Sequence, residues 1–81
     1  MKKYESALLY YRFIISDYPR TVWANEARYG IGLVYLKQKN YEKAKEMFQL
    51  LVDTAPSKEL KNKALKKMHS VERNIERLKK K

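Results

Sequence analysis

Two stretches of the chain carry the same pattern of residues 37 positions apart, as from Tyr4 to Tyr41. Each stretch has an aromatic residue, an alanine, a second aromatic residue, a branched aliphatic residue and a proline. The pairs are Tyr4 and Tyr41, Ala7 and Ala44, Tyr11 and Phe48, Ile14 and Leu51, and Pro19 and Pro56. A fixed period of this length is typical of units that cannot bury their apolar face alone and stack on copies of themselves. We therefore expect a surface that holds other proteins.

The size and composition of the chain favour one small helical domain. It has 81 residues, of which 44% are hydrophobic, with only two glycines and two prolines. This composition supports a packed core built from helices rather than strands. The absence of cysteine excludes disulfides and thiolate chemistry, and no apolar run is long enough for a membrane span. Because the chain begins inside an amphipathic pattern, we expect a fragment of a longer protein.

Apolar residues recurring at steps of three and four predict four helices, consecutive ones antiparallel. The predicted helices cover about residues 2–17, 22–37, 41–54 and 57–80. Pro19 and Pro56 are expected to end the first and third helices. Thr21 and Ser57 are suited to N-cap the second and fourth. Trp23 falls on the main apolar stripe of the second helix, with Ala24, Ala27, Ile31, Val34 and Tyr35.

Two glycines, Gly30 and Gly32, lie inside the predicted second helix. Each costs roughly 1 kcal/mol relative to alanine in a helix interior. Glycine in such a place usually lets another backbone come close, so we expect a tight helix–helix contact there.

The central residues resemble the L-G-x2-Y…A-x3-F…P signature of the tetratricopeptide repeat. The matching residues are Ile31, Gly32, Tyr35, Ala44, Phe48 and Pro56. Arg28 stands where the family signature has tryptophan, and the resemblance covers about residues 4–60. It implies an all-α fold of antiparallel hairpins, a fragment of an α-solenoid. Residues 1–81 would form a single domain: 2–18 the second helix of a preceding repeat, 21–56 one full repeat, and 57–81 a long basic capping helix.

The junction between the repeats is similar to that of bacterial envelope tetratricopeptide proteins. It reads YPRT at Tyr18–Thr21 and ANEARY at Ala24–Tyr29, as in the BamD-type outer-membrane assembly lipoproteins and the CpoB-type periplasmic proteins. This resemblance implies an adaptor in outer-membrane protein assembly, periplasmic or outer-membrane-associated, with no catalytic residues. Without it, a cytoplasmic location is the expectation.

The repeat fold implies a concave groove lined by the first helix of each pair. Its positions on the second helix are Glu26, Tyr29, Leu33, Leu36 and Lys37, and those 37 residues later are Lys63, Lys66, Ser70, Arg73 and Asn74. The first half is apolar and aromatic and the second is basic, so a peptide with an acidic end would complement it. The alternative is that Leu33 and Leu36 simply pack against the fourth helix.

Positive charge is concentrated at the end of the chain. Of the net charge of +10, residues 57–81 carry +7, from ten Lys or Arg and three Glu. A solvated end-cap explains this pattern, and binding of nucleic acid or another polyanion is the alternative function. Tyr4, Tyr11, Tyr35 and Tyr41 lie at core positions of the repeat, which leaves few of the seven tyrosines to stack on bases.

The sequence offers no constellation for catalysis, a cofactor or a metal ion. His69 is the only histidine, and no Cys or second His accompanies it as a metal ligand. No phosphate-binding glycine loop or nucleophile elbow is present. We expect a protein that is not an enzyme.

Several apolar side chains fall outside the predicted helix contacts. They are Leu9, Tyr10 and Phe13 on the first helix and Ile75 and Leu78 near the end of the fourth. Because soluble monomers rarely expose large apolar patches, these residues predict a homodimer or a higher oligomer. The alternative is that the fourth helix folds over the first and hides the patch within one chain.

Overall fold

The structure is a computed structural model that describes residues 2–54 and 57–80. It contains the helices α1 (Lys2–Asp17), α2 (Val22–Lys37), α3 (Tyr41–Thr54) and α4 (Lys58–Lys79), and no strand occurs among the described residues. The predicted all-α fold of helical hairpins is confirmed, and the bounds of the first three helices agree with those predicted. The fourth is one residue shorter at each end, because Ser57 and Lys80 are its caps. The predicted role of Pro56 in ending α3 lies outside the described residues.

Both predicted N-caps are confirmed by their hydrogen bonds. The Thr21 hydroxyl accepts from the backbone N–H of Ala24 at 3.2 Å and donates to the carbonyl of Tyr18 at 2.7 Å. The Ser57 hydroxyl accepts from the backbone N–H of Leu60 at 3.2 Å. Each cap satisfies one of the N–H groups that the first turn of a helix leaves without a partner.

The four helices lie side by side in a thin row. Each helix packs on the next, α1 on α2, α2 on α3 and α3 on α4. The molecule extends over 42 × 33 × 14 Å, so its smallest dimension is less than half of either of the others. Broad helix surfaces therefore stay uncovered on both sides of the row.

The core consists of two clusters. The larger lies between α3 and α4 and contains Ala44, Phe48, Leu51, Ala64, Met68 and Val71. The smaller lies between α1 and α2 and contains Leu8, Ile31 and Val34. Tyr35 packs against both clusters, so it joins the two halves of the molecule.

Both glycines of α2 face aromatic rings rather than another backbone, which corrects the expectation from the sequence. A Cβ atom at Gly32 would lie 2.6 Å from Cε1 of Phe48, and one at Gly30 would lie 2.5 Å from Cζ of Tyr11. The rings occupy the space that a Cβ atom would take at these two positions. The two glycines thus admit one aromatic ring from α1 and one from α3 against the surface of α2.

Gly32→Ala is expected to destabilise the fold more than Gly30→Ala. Both changes gain about 1 kcal/mol of helix propensity. Phe48 is fully buried and cannot move away, so the new methyl group overpacks the hairpin at a cost of about 1–3 kcal/mol. Tyr11 is half-buried and can shift toward solvent. Melting temperatures of the two variants measure the difference. Equal values would contradict the claim that Phe48 cannot move away from the new methyl group.

Candidate functional site

The predicted groove residues on α2 divide into two groups. Tyr29, Leu33 and Leu36 are half-buried and pack against the cluster between α3 and α4. The Tyr29 ring meets Phe48 edge to face, with ring centroids 5.7 Å apart. Glu26 and Lys37, at the two ends of this set, are exposed. Most of the apolar surface expected in the groove is therefore already engaged within the chain.

The predicted groove residues on α4 form a charged, shallow surface. Lys63 is exposed on α4, and Lys66 and Arg73 lie farther along the same helix, whereas Ser70 and Asn74 are half-buried. The Asn74 side chain donates to the carbonyl of Ser70 at 3.0 Å, so it is engaged on its own helix.

A pocket of about 580 Å³ on α4 mixes charges of both signs. It is lined by Lys66, His69, Glu72, Arg73 and Glu76. Glu72 also forms an ion pair with Lys45 of α3 at 3.5 Å, in which both side chains remain partly exposed. The two glutamates lower the positive potential beside Lys66 and Arg73, so any preference of this pocket for anions is modest.

The structure also contains an aromatic pocket between α1 and α2. It has a volume of about 510 Å³ and is lined by Tyr10, Tyr11, Ile14, Tyr18, Trp23, Glu26 and Ala27. The Tyr18 and Trp23 rings meet edge to face across the α1–α2 turn, with centroids 6.1 Å apart. Helical periodicity places Trp23 on the buried stripe of α2, and this placement is wrong, because the side chain is 63% exposed.

The residues predicted for self-association differ in how far they are covered. Leu9, Tyr10 and Phe13 are 67%, 63% and 58% exposed, and Leu78 is also exposed. Ile75 is half-buried and packs against the cluster between α3 and α4. Since α4 leaves the α1 residues uncovered, it does not fold over α1. We refer to Leu9, Tyr10, Phe13, Tyr18 and Trp23 together as the aromatic face.

Two positions that are half-buried in the first copy of the repeated pattern are fully buried in the second. Tyr11 and Ile14 are half-buried and line the aromatic pocket. Their counterparts 37 residues later are Phe48 and Leu51, which are 0% exposed. The second set is covered because α2 lies over the α3–α4 pair through Tyr29, Leu33 and Leu36. Nothing within the described residues covers the first set in the same way.

The described part of the chain contains no group of three or more His, Cys, Asp or Glu side chains that could hold a metal ion. Within that part, no helix has both the length and the apolar character needed to cross a membrane.

Burial raises the pKa of the Tyr29 phenol above its ordinary value of 10.0. Below the ordinary pKa the phenol is protonated in both the folded and the unfolded chain, so the shift does not change the free energy of unfolding there. This free energy falls as the pH rises through the folded-state pKa, because the unfolded chain releases the proton first. We expect Tyr29→Phe to lose less stability than the parent chain between about pH 9 and pH 11. Melting curves across that range measure this difference, and parallel losses in the two proteins would contradict the burial of this phenol.

Comparison with known families gives one match. Residues 26–57 match a family model of the tetratricopeptide repeat, a segment that runs from the first turns of α2 through α3. The comparisons with curated proteins and with solved structures found no match. The family model and the geometry agree on a tetratricopeptide-type helical hairpin at the centre of this chain.

Proposed function

We propose that the chain is a non-catalytic scaffold that binds another protein through the aromatic face. Tetratricopeptide repeats generally act in protein–protein interaction. The observation that carries the proposal is the exposure of four aromatic side chains around one pocket. Tyr10, Tyr18 and Trp23 line this pocket, and Phe13 lies one turn from Tyr10 on α1.

The area of the aromatic face follows from the exposure of its four aromatic side chains. A buried aromatic side chain covers about 150–250 Å². Four such side chains, each about half exposed or more, leave on the order of 500 Å² of apolar surface. The largest patch on a typical monomer is about 300–600 Å² and is often functional. The size of the patch thus supports a binding surface.

The second copy of the repeated pattern indicates what kind of element fits the pocket beside this face. There, α2 covers Phe48 and Leu51, the counterparts of the pocket residues Tyr11 and Ile14, with Tyr29, Gly32, Leu33 and Leu36. These residues have the spacing i, i+3, i+4 and i+7, which forms one stripe along a helix. A helix with an aromatic, a small and two aliphatic residues at this spacing is therefore a suitable probe of the pocket.

A synthetic peptide with the sequence of residues 26–40 is a suitable probe, because it contains this stripe and lacks tryptophan. Trp23 is the single tryptophan of the protein and lines the pocket. Peptide binding is expected to shift its fluorescence to shorter wavelength, since the indole leaves water. Titration at low protein concentration measures the affinity.

Two matched controls accompany the titration. The Phe13→Glu protein should bind the peptide at least about tenfold more weakly, because it carries a carboxylate on the aromatic face. A peptide with Leu33→Asp and Leu36→Asp should cause no shift. Unchanged Trp23 emission with the parent peptide at about 1 mM, the concentration range of very weak complexes, would contradict helix binding at this face.

The cations of α4 favour a second candidate, an acidic peptide. Lys66 and Arg73 share one surface pocket, and Lys63 is exposed on the same helix. Their charge complements an acidic end of a ligand whose remainder lies along α2. There Glu26 and Lys37 are exposed, and Tyr29, Leu33 and Leu36 keep part of their surface open. We expect Lys66→Glu with Arg73→Glu to weaken binding of a glutamate-rich peptide and to leave the melting temperature nearly unchanged. Normal binding by this variant would contradict the groove assignment.

Binding of nucleic acid or another polyanion is the alternative for the same helix. It is favoured by the net charge of +7 over residues 57–81. Phosphate binding weakens steeply with added salt, whereas binding of an apolar helix to the aromatic face does not. A salt titration with single-stranded oligonucleotide and with the helical peptide separates the two functions.

A role at the bacterial envelope is the finer form of the scaffold proposal. Its support is the similarity of Tyr18–Thr21 and Ala24–Tyr29 to the junctions of BamD-type and CpoB-type repeat proteins. In this form the protein would hold partners during outer-membrane protein assembly. Fractionation of the native host tests it: recovery in the periplasmic or outer-membrane fraction supports the proposal, and recovery in the cytoplasm overturns it.

A further inference from the structure

We propose that the ligand of the aromatic face is a second copy of this chain, bound as a closed two-fold dimer in which the two α1 helices pack antiparallel. Lys3 of each copy then lies beside Asp17 of the other. This inference rests on the proposed scaffold function and specifies its partner, symmetry and register.

A continuous line of exposed residues along α1 supplies the seam. Its members follow one another at steps of three, four, three and four residues, which keeps them on one side of a helix. They are Lys3, Ser6, Tyr10, Phe13 and Asp17, all exposed. Large aromatic residues occupy the centre of the line, and charged residues occupy its ends. This is the arrangement of a short interface with an apolar core and a polar rim.

The two end charges select the orientation of the second copy. Lys3 and Asp17 are each seven residues from Tyr10. An antiparallel pair with its two-fold axis near Tyr10 therefore brings Lys3 and Asp17 together twice. A parallel pair would place Lys3 against Lys3 and Asp17 against Asp17, and like charges at such distances repel.

The opposite end of the molecule cannot fill the aromatic pocket of another copy. On α4, the positions equivalent to Tyr29, Leu33 and Leu36 of α2 are Lys66, Ser70 and Arg73. Placing Lys66 and Arg73 in the pocket would take two cations out of water with one carboxylate, Glu26, among the lining residues, which is costly. Head-to-tail association through α4 is thus disfavoured. Pairing of the face with itself gives a closed dimer instead of an open filament.

The expected affinity is modest. A stable interface buries about 800 Å² on each partner, more than the aromatic side chains alone provide. Each copy also carries a net charge of +10, which opposes association. We therefore expect a dimer that dissociates in the micromolar range, measurable by sedimentation equilibrium.

Charge variants test the register. Asp17→Lys places lysine against Lys3 of the partner and should weaken the dimer by on the order of fivefold. Lys3→Asp should weaken it similarly. Neither change harms α1 itself, because a cation in its last turn and an anion in its first turn both suit the helix dipole. The double variant Lys3→Asp with Asp17→Lys restores opposite charges and should recover the parental dissociation constant.

Mixing the two single variants provides a matched rescue. In the heterodimer, the unchanged Lys3 of one variant meets the unchanged Asp17 of the other. The two introduced residues, which also carry opposite charges, meet at the other end of the seam. The heterodimer should therefore form more tightly than either variant alone.

A substitution away from the seam provides the control for charge. Asp53→Lys makes an equal charge change at an exposed site in the last turn of α3, and it should leave the parental dimer unchanged. Single α1 variants that dimerise as tightly as the parent would contradict the antiparallel register.

Phe13→Glu distinguishes failure of the dimer from failure of the scaffold. It should yield a monomer with intact helical circular dichroism. A parent chain that stays monomeric up to about 1 mM overturns the dimer, while Trp23 shifts with the 26–40 peptide would still support the scaffold. If the Phe13→Glu protein still dimerises as tightly as the parent, the chain does not self-associate through the aromatic face. Peptide binding then remains the separate test of the scaffold.

Discussion

The contact between Phe48 and α2 determines the arrangement of the other helices. The Phe48 ring lies against Gly32, where no side chain intervenes, and meets Tyr29 edge to face. This contact brings α2 close to α3, and α4 then packs on α3 through the cluster that contains Phe48. On the other side, Gly30 receives Tyr11 in a similar way and fixes α1. Two glycines two residues apart thus hold the helices before and after α2 at short distance.

Much of the fold could be predicted from the sequence, because each helix carries local signals. Apolar spacing defines the four helices, and the hydroxyls of Thr21 and Ser57 mark two of their starts. The exposure of Trp23 could not be predicted in this way. Helical periodicity identifies the side of α2 on which Trp23 lies, but it does not show whether a neighbouring helix reaches that far. The counterpart of Trp23 in the second copy, Leu60, is only half-buried, so neither copy fully covers this position.

The candidate site shows the same limit. The groove positions Lys66 and Arg73 line a surface pocket, and their exposure on α4 follows from its narrow apolar stripe. The sequence leaves open whether Leu33 and Leu36 line a groove or pack against the fourth helix, since this depends on the distance between helices. In the structure they pack, with Tyr29, against the cluster between α3 and α4. The molecule therefore has two unlike ends. The α1 end is apolar and open, and the α4 end is polar, as expected of a capping helix.

The division of the core into two clusters has a consequence for local stability. The cluster between α1 and α2 has three buried members, whereas the one between α3 and α4 has six. Detaching α1 exposes only the smaller set and leaves the larger one intact. Backbone amides in α1 should thus exchange with solvent through a partial opening of the chain, while those of α3 and α4 require global unfolding. A partner bound on α1 would slow exchange there first, so the least stable helix is the one whose protection reports binding.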